Sequence, residues 1–88
     1  MSEWIYPEII TKLRLACTKF LDGKMSVAEI QSEIYSAENG VIAIDEKWLR
    51  QMLFNAENEI ELLTFTVDDE QLTSSVTPIV QNIMNAIS

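Results

Sequence analysis

The chain has 88 residues, 48% of them hydrophobic, with a net charge of −8 and an isoelectric point near 4.2. This length holds one domain with one core, spanning residues 1–88, and the apolar content argues against a disordered acidic tail. The negative balance disfavours nucleic acid and anionic membranes as partners and favours basic surfaces.

Pro7 suits a first helical turn, and Ile9, Ile10, Leu13, Ala16, Cys17, Phe20 and Leu21 form the stripe of an amphipathic helix that Gly23 stops. Ser26 and Glu29 have capping-box spacing with Met25 and Ile30 at the staple positions, so a second helix is expected from about Ser26 to Ala37. Its inward set is Val27, Ile30, Ile34 and Ala37, and Asn39-Gly40 reads as a turn. "VIAI" (residues 41–44) leads to Asp45, a good N-cap, with Ile44 and Leu49 able to form a second staple. A third helix follows to about Asn58, with Trp48, Leu49, Met52, Leu53, Ala56 and Ile60 at helical spacing.

In "LLTFTV" (residues 62–67) the period changes to two, which predicts an extended segment, and Trp48 and Phe65 read as core residues. The last helix begins near Asp68 or Asp69 and keeps Leu72, Val76, Ile79, Val80, Ile83, Met84 and Ile87 on one face. Pro78 within it implies either a kink or a start at Thr77. Four helices with short connections predict an all-α, small antiparallel four-helix bundle. The alternative is an α+β fold in which "VIAI" and "LLTFTV" pair as a two-stranded piece.

Enzyme chemistry finds little support, and the expectation is a non-enzyme. Histidine is absent, Cys17 has Leu13 and Phe20 as apolar neighbours and reads as inert packing, and Gly23 and Gly40 alone cannot build a phosphate-cradling loop. "DDEQLTSSVTPI" lacks the alternating acids and central glycine of a calcium loop, so neither a metal nor a cofactor is expected. A single cysteine excludes an internal disulfide, and no signal peptide or membrane span is visible, so the expected compartment is the cytoplasm.

Charge is uneven. Residues 1–50 hold eight acids and all six bases, whereas residues 51–88 hold Glu57, Glu59, Glu61, Asp68, Asp69 and Glu70 and no base. On an extended segment, residues 57, 59 and 61 would share one face. Such a patch would steer a cationic protein surface and accept its charge-assisted hydrogen bonds in place of phosphate. For Asp68 and Asp69 helix capping is an equal reading, and a solvated face is the plain account of the whole run.

Phe20-Leu21, Lys24-Met25-Ser26 and Glu29-Ile30, then Ala56-Glu57, then Phe65-Thr66-Val67-Asp68-Asp69 with Leu72 follow in an order and spacing that resembles the colicin D-like immunity proteins. The resemblance covers about Phe20 to the C-terminus; the link from Glu57 to Phe65 is shorter than in that family, and "SEWIYPE" has no counterpart. It implies a four-helix bundle that binds the basic C-terminal nuclease domain of a cognate bacterial toxin, a tRNA-cleaving bacteriocin or a contact-dependent growth inhibition toxin. Glu57 carries over directly, and Glu59 and Glu61 correspond to the acids that follow. Two other classes stay open: an acidic regulatory adaptor with an apolar groove, and an acyl-carrier-like module, although neither Ser26 nor Ser74-Ser75 has the flanking Asp and Leu of a carrier site.

Overall fold

The computed structural model describes residues 4–87 and is built from four helices: α1 (Pro7–Leu21), α2 (Val27–Gly40), α3 (Lys47–Thr66) and α4 (Asp69–Ile87), with one 3₁₀ turn (Ile44–Glu46) before α3. Helices adjacent in sequence pack together, and α1 closes the ring on α4. Short connections make neighbours antiparallel, so this is the all-α four-helix bundle expected. The longest dimension is 38 Å, in keeping with α3, whose 20 residues rise about 30 Å.

The termini of α1 and α2 follow their local chemistry. Gly23 has φ 78° and the N–H groups of Gly23 and Lys24 return to the carbonyls of Phe20 and Lys19, the paired bonds of a Schellman stop. Ser26 accepts from the Glu29 N–H at 3.2 Å while the Glu29 carboxylate accepts from the Ser26 N–H at 3.0 Å. Met25 packs against the core beside this cap. The buried stripes include Ile10, Leu13, Cys17 and Phe20 of α1, Ile30 and Ile34 of α2, Leu49, Leu53 and Ile60 of α3, and Val76, Val80 and Ile83 of α4.

Four expectations are overturned. Residues 62–66 are helical, and among the described residues there is no strand, so "VIAI" and "LLTFTV" do not pair. The reason is that Leu53, Ala56, Ile60, Leu63 and Val67 continue a 3-4-3-4 spacing beneath the alternation, while Leu62 and Phe65 point outward. The hydroxyls of Thr64 and Thr66 bond back to the carbonyls of Glu61 and Leu62, which lets both threonines sit in the last turns. Phe65 is 81% exposed and Trp48 half-exposed, so neither is a core residue.

Asp45 does not cap α3, because the 3₁₀ turn shifts the start to Lys47, and Ile44 is 87% exposed, with no staple to Leu49. The turn expected at Asn39-Gly40 lies one step later, since α2 runs through Gly40 and Val41 turns extended. At Gly40 a Cβ would stand 2.5 Å from Ile9 Cδ1, so glycine here permits close approach of α1.

Of the alternatives at Pro78, the start at Thr77 does not occur: α4 begins at Asp69 and runs through Pro78. Pro78 and Ser74 are both exposed, so water reaches the carbonyl that loses its donor. The C-terminus of α4 has no base of its own, and Arg14 of α1 supplies one, donating from Nη2 to the Ile87 carbonyl at 2.6 Å.

Of "SEWIYPE", Ser2 and Glu3 lie outside the described residues. Trp4 and Ile5 are tied to the start of α3: the Ile5 N–H donates to Glu46 Oε2 at 2.9 Å and Trp4 rests on Trp48 with ring centroids 5.9 Å apart.

Candidate acidic binding face

Because α3 stays helical, its three glutamates do not share a face. Glu57 and Glu61 are four residues apart and lie one above the other, whereas Glu59 points about 200° away from Glu57. Glu59 is exposed in a groove of about 580 Å³ between α3 and α4, with Trp48, Met52, Pro78 and Ile79 among its lining. Helical extension to Thr66 also puts all three glutamates outside the last turn, which removes most of their opposition to the helix dipole.

On the α2 side, Glu57 meets a residue that sequence reasoning missed. Glu38 is 8% exposed, its Oε1 is buried without a hydrogen-bond partner, and its carboxyl stands beside that of Glu57. Spacing held the signal: Glu38 is four residues beyond Ile34, so it continues the inward stripe as well as Ala37 does. Glu38 lines a cleft of about 290 Å³ with Lys47, Arg50, Gln51 and Phe54. Glu57 lines a neighbouring cleft of about 320 Å³ with Ala28, Gln31, Ser32 and Tyr35. Two carboxylates, Glu38 and Glu57, thus stand together where α2 and α3 meet, with an aromatic ring in each cleft.

Comparison with protein-family models, curated proteins and solved structures finds no match.

The other expected contact residues stand apart from this pair. Asp68, immediately before α4, and Asp69 and Glu70 in its first turn are all exposed, where their charge favours the helix N-terminus. The main chain of Asp68 also accepts the Gln71 N–H at 2.9 Å. Glu61 lies five residues from the end of α3, roughly 8 Å along the axis from that turn. Among the described residues, no three acidic or thiol side chains are arranged to hold a metal ion. No described helix is long and apolar enough to cross a membrane. Cys17 is fully buried, and burial pushes its thiol up to about 11, which leaves it protonated and unreactive at neutral pH.

The carboxyls have opposing effects on stability. Burial first, then the hydrogen bond to Glu38 and the charges of Glu38 and Glu61, raise Glu57 above the ordinary 4.5. A carboxyl raised by folding stabilises the fold while protonated, so this contribution is complete below 4.5 and is lost as pH rises through the raised value. Glu29 has the other sign: its hydrogen bonds with Ser26 lower it, so its contribution is complete above 4.5 and is lost as pH falls through the lowered value. Thermal stability is therefore expected to peak in mild acid. Glu57→Gln should raise Tm at pH 7 and flatten the decline from mild acid to neutrality, as followed by circular dichroism. A variant that melts with the wild type at both pH values would contradict the raised carboxyl.

Proposed function

We infer that this protein is an immunity protein, a non-catalytic inhibitor that binds the basic C-terminal nuclease domain of a bacterial toxin in the cytoplasm and occupies its RNA-binding groove. The observation that carries this reading is the acidic C-terminal half of α3, where Glu57, Glu59 and Glu61 follow one another with no base beyond Arg50 and Glu38 adds a further carboxylate beside Glu57. Mutual repulsion among these groups is relieved by a cationic surface, so binding gains from a strain the free protein carries. Exposed carboxylates also steer such a partner, at up to ~10⁸–10⁹ M⁻¹s⁻¹ at low salt. Glu57 and Glu61 form the centre of the contact set, with Glu59 at its rim on the far side of α3 and Asp68, Asp69 and Glu70 toward the α3–α4 turn. The resemblance in order and spacing from Phe20 onward supports the same reading.

The test is protection. Cells making the C-terminal nuclease domain of the cognate toxin are expected to survive when the chain is co-expressed, and the triple variant Glu57→Lys, Glu59→Lys, Glu61→Lys is expected to lose protection while keeping its helical circular dichroism. Protection by the triple variant would reduce the run to a solvated face. Binding also weakens steeply with added salt.

The α3–α4 groove, with Trp48, Met52 and Ile79 along it, favours a second reading, an adaptor that takes an apolar segment. Binding of that kind depends little on salt.

A further inference from the structure

We propose that the Glu38–Glu57 carboxyl pair, walled by Tyr35 and Phe54, is the seat of a single arginine side chain of the basic partner, an inference that rests on the binding role given above. Three observations lead to it. Glu38 is more than nine-tenths buried and its Oε1 has no hydrogen-bond donor, although Lys47 and Arg50 line the same cleft. A buried acceptor left unmade by the protein's own bases is the group a ligand donor completes. The second carboxyl, Glu57, stands beside it, so the pair offers neighbouring oxygens to a planar fork of N–H donors rather than to a point charge.

The third observation is the ring on each side. Phe54 shares the cleft of Glu38, Tyr35 shares that of Glu57, and both rings are half-exposed on otherwise polar stretches of their helices. A guanidinium is weakly hydrated, stacks on aromatic faces and enters a half-buried site more readily than an ammonium. Glu61, one turn beyond Glu57, adds negative charge on the open side, while Lys47 and Arg50 keep the opposite side positive. The cation is thus admitted from the side of Tyr35 and Glu61.

The experiment is a titration of the isotopically labelled full chain with N-acetyl-arginine amide and, at equal ionic strength, with N-acetyl-lysine amide, followed by NMR. Arginine is expected to shift the carboxyl carbons of Glu38 and Glu57 and the ring signals of Tyr35 and Phe54. It should bind about two- to fivefold more tightly than lysine, the factor that a cation–π contact on an exposed ring supplies. Tyr35→Ala and Glu57→Gln should each remove that preference. Equal effects of the two amides, or largest shifts at Glu59 or at Asp68 to Glu70, would overturn the seat. Protection of cells with no arginine preference rejects the seat and leaves the immunity reading standing. An arginine-selective site in a chain that does not protect rejects the immunity reading and keeps the seat.

Discussion

Changing Glu57 and Glu61 together to lysine is expected to weaken capture of the basic nuclease domain at least ~100-fold, since close interfacial charge pairs each couple by about 1.5–7 kcal/mol. Glu59→Lys alone is expected to cost less than about tenfold and to act on the association rate, as rim charges do. Before the fold is known the three glutamates look equivalent; on a helix they are not. Glu57 and Glu61 face α2 and the buried Glu38, whereas Glu59 lies in the α3–α4 groove. Surface plasmon resonance at two salt concentrations separates the effects, with circular dichroism as the check on folding. If Glu59→Lys costs as much as the double variant, the contact surface wraps around α3 and the face-specific account fails.

Phe20→Ala is expected to cost about 3–5 kcal/mol, while Phe65→Ala stays within about 0.5 kcal/mol of the wild type. Sequence reasoning places both phenylalanines in the core, but Phe20 is 2% exposed there and Phe65 is 81% exposed. Total stability for a domain of this kind is about 5–15 kcal/mol, so loss of the Phe20 ring removes a large part of it. In a chain of this length it should lower Tm by more than ~12 °C. Thermal melts of the two variants decide the matter, and a large loss at Phe65 would mean that the end of α3 is covered.

What the sequence made legible was whatever rests on local chemistry. The capping box at Ser26 and Glu29 and the glycine stop at Gly23 involve neighbours within five residues, and both have the expected bonds. The stripes of α1, α2 and α4 were nearly as clear, because few large apolar residues stand on their outer faces: Leu15 and Leu21 of α1, the latter expected in its stripe, and Tyr35 of α2. The end of α3 was hidden because Leu62 and Phe65 are apolar and exposed, which turned a helical period into an apparent alternation. Of the site, the acids of α3 were visible as charge. Glu38 continues the inward spacing of α2, but its meeting with Glu57 of another helix has no local signature. The Arg14 cap on Ile87, 73 residues away, has no local signature either.

The contact between Trp4 and Trp48 has an optical consequence. These are the only two tryptophans in the chain, so emission excited to the red of tyrosine absorption reports one place, the junction of the segment before α1 with the first turn of α3. That junction borders the α3–α4 groove, which Trp48 helps to line, and lies on the opposite side of α3 from Tyr35 and Glu57. A ligand that settles in the groove perturbs the indole pair and changes its emission. One that settles on the acidic face leaves the pair undisturbed. Unlabelled protein in a fluorimeter can therefore tell which side of α3 a newly found partner has taken.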